Sequence, residues 1–152
     1  MKIKKILCPT DFSEASKKAF EYAIFLASSQ HAELVLLHIV DQLHGFEAYE
    51  ILALTPQEIS QRMEKHAYEN MSDLVDQIKG SIAIETAVEH GKPSVQIVEK
   101  AREVKADIIV MGSHGRTGLS HVLIGSVAER VVRHASCPVL VVRDMYQQPG
   151  TP

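Results

Sequence analysis

The chain contains 152 residues, of which 45% are hydrophobic and 23% are charged, and its formal net charge is −3. This length suits one domain that buries a sizeable core. The slight acidity disfavours a broad basic surface that would neutralise a nucleic-acid backbone, although it allows local basic patches, so we expect no nucleic-acid partner.

Five short apolar runs predict β-strands, and the first overlaps the basic N-terminus MKIKKIL. They are almost continuously apolar rather than alternating, as expected of strands covered on both faces. The first run is too short for a signal peptide or a membrane span. The five predicted strands are Ile3–Cys8, Glu33–Val40, Ile82–Val88, Asp107–Met111 and Pro138–Val142.

Cys8 and Cys137 are the two cysteines, and both lie in or beside these apolar runs without a CxxC pattern. Two isolated thiols of this kind are more typical of small apolar core residues than of redox centres. We therefore expect no disulfide, a reducing compartment and a cytoplasmic location.

The segments between the predicted strands have helical periodicity, with apolar residues three and four positions apart. The resulting order is β-α-β-α-β-α-β-α-β, which predicts a parallel sheet built from right-handed crossovers, an α/β fold. Three apolar stripes carry this prediction: Ala15, Ala19, Ala23 and Leu26; Ile97, Val98, Ala101 and Val104; Ile124, Val127, Ala128 and Val131.

Two helix starts have recognisable local chemistry. Thr55-Pro56-Gln57-Glu58 forms a capping box, with Thr55 as the cap and Pro56 at the first helical position. Pro93 likewise suits the first turn of the helix that follows Gly91.

Two segments fall outside this pattern. Asp41–Leu54 is apolar without a clean period, and it suits a flap over a site, an extension of the next helix, a subunit contact or ordinary core packing. Residues 147–152 are polar and rich in proline, which predicts a disordered tail after a single domain at 1–146.

Ligands of open parallel sheets bind beyond the carboxyl ends of the strands, so the loops after the first and fourth strands are the candidates. The first loop is Pro9-Thr10-Asp11-Phe12-Ser13, and the second begins Gly112-Ser113-His114-Gly115-Arg116 and leads to a helix that starts around Gly125-Ser126. A helix N-terminus offers unpaired N–H groups and a partial positive charge to an anion. Glycines allow the backbone to approach a phosphate closely, and the Ser126 hydroxyl can donate to a phosphate oxygen. A tight strand-to-helix turn without a ligand is the plainer interpretation of the same glycines.

The spacing Gly112-x2-Gly115-x9-Gly125-Ser126 resembles the ATP-binding signature of the universal stress protein family. The resemblance extends to KILCPTDFS, ELVLLHIVD, EHGKPSVQIVEKA and ASCPVLVVR, and so covers nearly the whole chain. The branch of the family that does not bind ATP lacks these small residues. The resemblance implies an open five-stranded sheet with helices on both faces, strand order 3-2-1-4-5, and an adenine nucleotide alpha hydrolase-like fold.

The same resemblance implies a role for each matching position. The Pro9, Thr10 and Asp11 loop would lie near the ribose and phosphates, and the backbone of Val40 would meet the adenine. Mg²⁺ or Mn²⁺ would share the phosphate charge, with Asp11 as the acid nearest to it. The remaining implied nucleotide contacts are Met111, Gly112, His114, Gly115, Arg116, Gly125, Ser126 and Val127.

Some of these residues also suit roles that involve no ligand. Asp11 also suits a cap for the helix that begins near Ser13, and the spacing between His114 and His121 fits no standard metal motif. The phosphate-binding loop G-x-x-x-x-G-K-[ST], the dinucleotide motif G-x-G-x-x-G and the hydrolase elbow G-x-S-x-G are all absent from the sequence.

The last strand, Pro138–Val142, is expected at a sheet edge, where strands can pair across a two-fold axis, and the resemblance implies a homodimer through it.

From the glycine spacing and the family resemblance, we expect an ATP-binding module in stress response or signalling. The alternatives are a slow ATPase or phosphotransferase and a dimeric scaffold without nucleotide. The sequence leaves open whether the ligand is ATP, AMP or cyclic AMP.

Overall fold

The computed structural model describes residues 2–41, 53–78, 80, 82–114 and 124–143, and within them strands and helices alternate along the chain. The strands are β1 (Lys5–Pro9), β2 (Glu33–Val40), β3 (Ile84–His90), β4 (Ile108–Gly112) and β5 (Val139–Val142). The helices are α1 (Glu14–Gln30), α2 (Pro56–Asp76), α3 (Pro93–Glu103) and α4 (Ser126–His134).

All five strands join one parallel sheet in the order β3-β2-β1-β4-β5, which confirms the predicted fold class and strand order. β1 and β4 are neighbours, although the chain leaves β1 in one direction and β4 in the other. Their carboxyl ends therefore form the point at which the strand order reverses, where open α/β sheets bind ligands.

Helices cover the sheet on both faces, because successive residues of the central strands point to opposite sides. On one face, Ile6 and Cys8 of β1 pack with apolar residues of α1 and with Met71 of α2. On the other face, Leu7 packs with residues of α3 and α4. The prediction of strands covered on both faces holds for β1, β2 and β4, whereas the edge strands β3 and β5 are only partly buried.

The helix starts follow the local chemistry of the sequence. The Thr55 hydroxyl accepts from the Glu58 N–H at 3.2 Å and the Glu58 carboxylate accepts from the Thr55 N–H at 2.8 Å, so the predicted capping box is present. Pro93 is the first residue of α3, as predicted. Ser13 caps α1 by accepting from the Ser16 N–H at 3.2 Å. The capping role considered for Asp11 therefore falls to Ser13.

β5 lies at one edge of the sheet with β4 as its neighbour, and Leu140 within it is 37% exposed.

The two cysteines differ in burial. Cys8 is buried in the core, which raises the pKa of its thiol to about 12, and Cys137 is only half-buried. No helix in the described segments combines the length and the apolar character needed to cross a bilayer. Most of Asp41–Leu54 and the whole predicted tail 147–152 lie outside the described residues.

Candidate functional site

A cavity of about 380 Å³ lies at the carboxyl ends of β1 and β4, beside the start of α4. This volume falls within the range of small-molecule sites in proteins. Its described lining residues are Pro9, Thr10, Asp11, Ser16, Ile39, Pro93, Ile97, Met111, Gly112, Ser113, His114, Ile124, Gly125, Ser126, Val127, Ala128 and Glu129.

The start of α4 supplies backbone donors to this cavity. Gly125 is the N-cap and has no capping side chain, and the first intrahelical bond runs from the Glu129 N–H to the Gly125 carbonyl at 2.9 Å. The N–H groups of Ser126, Val127 and Ala128 therefore lie outside the helical ladder. Three such donors at the positive end of the helix dipole form a favourable environment for an anion.

The loop after β4 is packed tightly against two other parts of the chain. A Cβ on Gly112 would lie 2.9 Å from the Ala15 carbonyl carbon and 3.0 Å from the Ser16 nitrogen, both backbone atoms of α1. A Cβ on Gly125 would lie 3.0 Å from the Ser113 carbonyl oxygen. Gly112 is thus required for the approach of β4 to α1, whereas the sequence analysis attributed it to the approach of a phosphate.

The loop after β1 is held by hydrogen bonds that begin at the buried Thr10. Its hydroxyl lies 3.2 Å from the Ser16 hydroxyl and accepts from the Phe12 N–H at 3.1 Å. Its carbonyl accepts from Nδ1 of the buried His38 at 2.8 Å. Asp11 follows, and its carboxylate accepts from the Ser13 N–H at 3.0 Å. These bonds hold in place the loop that contributes Thr10 and Asp11 to the cavity wall.

Ser113 and His114 form a pair on the opposite loop. The Ser113 hydroxyl lies 2.9 Å from Nδ1 of His114, and Ser113 is only 1% exposed. The Ser113 carbonyl accepts from the Gly125 N–H at 2.6 Å, which ties the end of β4 to the start of α4. The spacing of the glycines gave no indication of this role for Ser113.

The other wall of the cavity is apolar. Ile39 from β2, Ile97 from α3 and Met111 from β4 contribute to it, and each is less than one-tenth exposed. The cavity therefore combines a polar side, built by the β1 and β4 loops and α4, with an apolar side. This division suits a ligand with a planar apolar part and an anionic part.

Two carboxylates, Asp11 and Glu129, line the cavity. Glu129 also pairs with Arg133 one turn along α4, with a distance of 2.8 Å between Oε1 of Glu129 and Nη2 of Arg133 at the surface. Among the described residues no group of three or more His, Cys, Asp or Glu side chains is arranged to hold a metal ion. One or two carboxylates would suit Mg²⁺ only together with phosphate oxygens.

The structure brings nine of the twelve predicted nucleotide contacts together on the cavity wall. Val40 does not line it: the Val40 carbonyl accepts from the Gly91 N–H at 3.1 Å, and its neighbour Ile39 reaches the cavity instead. Gly115 and Arg116 lie outside the described residues. The nine that line the cavity are Pro9, Thr10, Asp11, Met111, Gly112, His114, Gly125, Ser126 and Val127.

Sequence reasoning missed eight lining residues. Several are apolar residues that their periodicity assigned simply to the core, and Ile124, expected in the stripe of the last helix, precedes α4 and is 40% exposed. Glu129 carried a signal, because it lies in the first turn of the helix that follows the glycine loop. The eight are Ser16, Ile39, Pro93, Ile97, Ser113, Ile124, Ala128 and Glu129.

The chain is similar in sequence to known proteins. A model of the universal stress protein family matches residues 2–143. Universal stress protein MJ0531 of Methanocaldococcus jannaschii is 37% identical over 145 residues, which cover 92% of this chain and 82% of that protein.

Two solved structures are also similar. That of protein MJ0577, also from Methanocaldococcus jannaschii, has a TM-score of 0.83 at 32% identity and covers 95% of this chain and 98% of its own. A universal stress protein solved in complex with cAMP has a TM-score of 0.62 at 27% identity, with 94% of this chain and 98% of its own covered.

Proposed function

The chain belongs to the universal stress protein family, and we propose that it binds an adenine nucleotide, ATP, in the cavity between β1, β4 and α4. The observation that carries this proposal is the start of α4, where three backbone N–H groups outside the helical ladder border the cavity. The cAMP complex of a related universal stress protein supports an adenine nucleotide as the ligand class.

The phosphates are assigned to the polar side of the cavity. The N–H groups of Ser126, Val127 and Ala128 and the Ser126 hydroxyl donate to phosphate oxygens there. The resemblance to the family motif adds Gly115 and Arg116 to this group. Because hydrogen bonds to charged groups contribute about 1.5–3 kcal/mol each, several of them can support the ~8 kcal/mol that micromolar binding requires.

The adenine and ribose are assigned to the apolar side. Ile39, Ile97 and Met111 are positioned to contact the faces and edges of the base. Val40 ends β2 next to this wall, and its predicted backbone contact with adenine belongs to the proposal. Asp11 adjoins the ribose and the phosphates from the β1 loop.

A divalent cation, Mg²⁺ or Mn²⁺, accompanies the triphosphate in this proposal. The residues fit such an ion when phosphates supply most of its oxygen ligands, because Asp11 and Glu129 place two carboxylates on the cavity wall. The ion would offset the repulsion between these carboxylates and the phosphates.

A homodimer through β5 is the second part of the proposal. β5 is an edge strand with the partly exposed Leu140 in it, and an exposed edge favours pairing with another strand. We assign the protein to the cytoplasm, as a single domain at 1–146 whose nucleotide state changes its contacts in stress response or signalling.

Two measurements test nucleotide binding. Mass spectrometry of the purified protein identifies any nucleotide that copurifies, and calorimetry on nucleotide-free protein compares ATP, AMP, cAMP and GTP. We expect ATP to bind most tightly, with Mg²⁺ increasing its affinity. Tighter binding of AMP or cAMP would reassign the ligand, and a lack of binding by all four would refute the proposal.

A further inference from the structure

The loop between β1 and α1 is held by β2 through both backbone groups of Thr10. The Thr10 N–H donates to the Leu37 carbonyl at 2.8 Å, and the Thr10 carbonyl lies 2.8 Å from Nδ1 of His38. Thr10 and His38 are both less than one-tenth exposed. Because a peptide unit is planar, a carbonyl held in this way also sets the direction in which the chain enters Asp11, the next residue on the cavity wall.

The contact between His38 and Thr10 determines which atom is the donor. A carbonyl oxygen can only accept a hydrogen bond, so Nδ1 of His38 donates and carries a hydrogen. This assignment depends on the carbonyl alone and holds whatever Nε2 contacts. His38 therefore acts on the loop as a fixed hydrogen-bond donor.

The same ring also supports Phe12. The centroids of the Phe12 and His38 rings lie 4.7 Å apart at an interplanar angle of 31°, within the range of aromatic pairs. Phe12 has a φ of 64°, in the left-handed region that bulky residues rarely adopt. The contacts that hold the loop must offset this unfavourable backbone conformation. His38 supplies two of them, one on each side of Asp11.

We propose that His38 is a positioning residue that holds Asp11 in place at the nucleotide site. Within the described part of the chain, the cavity wall includes Thr10 and Asp11 but not His38, so His38 acts on the ligand through the loop. This role rests on the proposed function, to which the contact of Asp11 with the ribose and phosphates belongs. The hydrogen bond from Nδ1 to the Thr10 carbonyl does not depend on a ligand.

The first experiment tests that hydrogen bond on the full chain without nucleotide. A ¹H–¹⁵N imidazole spectrum is recorded at pH about 8, above the ordinary pKa of histidine, and His38→Asn identifies the signals of His38 by their loss. We expect a hydrogen on Nδ1 of His38 that exchanges slowly with water, because the residue is buried. A His38 ring that carries a hydrogen on Nε2 alone would overturn the proposal.

The second experiment measures ATP affinity by calorimetry in two variants that separate the ring nitrogens. Asparagine places an amide donor near the position of Nδ1, and glutamine places one near Nε2, so His38→Asn keeps the donor to Thr10 and His38→Gln loses it. We expect His38→Gln to bind ATP about three- to tenfold more weakly than the parent, as for the loss of one hydrogen bond. His38→Asn should recover most of this loss, and equal affinities of the two variants would contradict the role of Nδ1.

His134→Gln is the matched control for these variants. Nδ1 of His134 also lies 2.8 Å from a backbone carbonyl, that of Arg130, but at the end of α4 remote from the cavity. Its loss should leave ATP affinity unchanged. A loss equal to that of His38→Gln would mean that the effect is not specific to the β1 loop.

A double-mutant cycle with Asp11→Ala distinguishes positioning from a general loss of stability. If His38 acts through Asp11, His38→Gln should cause no further loss of ATP affinity once the Asp11 carboxylate is absent. The same fold loss with and without that carboxylate would overturn the positioning role. Circular dichroism checks that each variant is folded, and the spectrum of the parent still tests the proposal if His38→Gln does not fold.

The experiments separate two kinds of failure. Absence of ATP binding by the parent would overturn the proposed function together with the ligand role of His38. Unchanged ATP affinity in a folded His38→Gln variant would overturn the role of His38 alone and leave the nucleotide site in place.

Discussion

Replacement of Gly112 by alanine separates a structural role of this glycine from a ligand-binding one. In the structure the added methyl group would lie 2.9–3.0 Å from three backbone atoms of Ala15 and Ser16. Carbon atoms normally approach other heavy atoms to about 3.5–4.0 Å, so the first turn of α1 would have to move away from β4. Since these neighbours are backbone atoms, no side-chain rotation relieves the clash.

We expect Gly112→Ala to lower the free energy of unfolding by about 1–3 kcal/mol, the usual cost of overpacking a well-packed site. Urea unfolding monitored by circular dichroism measures this, and the midpoint should fall by on the order of 1 M. The experiment uses nucleotide-free protein so that ligand binding does not contribute. Ser136→Thr adds a methyl group at an exposed position and should change the free energy of unfolding by less than about 0.5 kcal/mol. If Gly112→Ala is as stable as the parent, the packing role assigned to this glycine is wrong.

Three further predictions address the site and the fold. Ser126→Ala should weaken ATP binding by about tenfold or more, as expected for a lost hydrogen bond to a charged group, and calorimetry showing unchanged affinity would exclude the hydroxyl from the site. Asp107 accepts from the Lys4 and Lys5 N–H groups, which lowers the pKa of its carboxyl. This contribution to stability is present above the unfolded pKa of about 3.9 and is lost as the pH falls through the folded pKa. Asp107→Asn should thus be less stable than the parent at neutral pH, with the difference closing in acid, and a difference independent of pH would contradict this. Iodoacetamide should modify the half-buried Cys137 before Cys8, whose burial raises its thiol pKa to about 12; mass spectrometry showing equal labelling would mean that the core opens readily.

The strands and helices could be predicted because their signals are local. Apolar runs placed each strand within about two residues of its observed bounds, and the Thr55–Glu58 pattern located the start of α2 correctly. The loops after β1 and β4 were predicted as the ligand side because strand order in parallel sheets determines where they meet.

The rest of the site depends on contacts between distant segments. The contact of Val40 with adenine was implied by the family resemblance, and the strand pattern gave no sign that Ile39 lines the cavity, because a strand buried on both faces has no alternation to show which residue reaches it. Gly112 packs against α1, which lies about a hundred positions earlier in the chain. Ser113 has no periodic signal, so its bond to His114 could be found only in the structure.

The most direct test of the central claim is a ¹H–¹⁵N backbone spectrum of nucleotide-free protein titrated with ATP and Mg²⁺. We predict that the amide resonances of Ser126, Val127 and Ala128 shift together with those of the β4 loop and saturate at one nucleotide per chain. Resonances of the start of α4 that stay unchanged at millimolar ATP, or shifts confined to another part of the chain, would contradict a phosphate site at the start of α4.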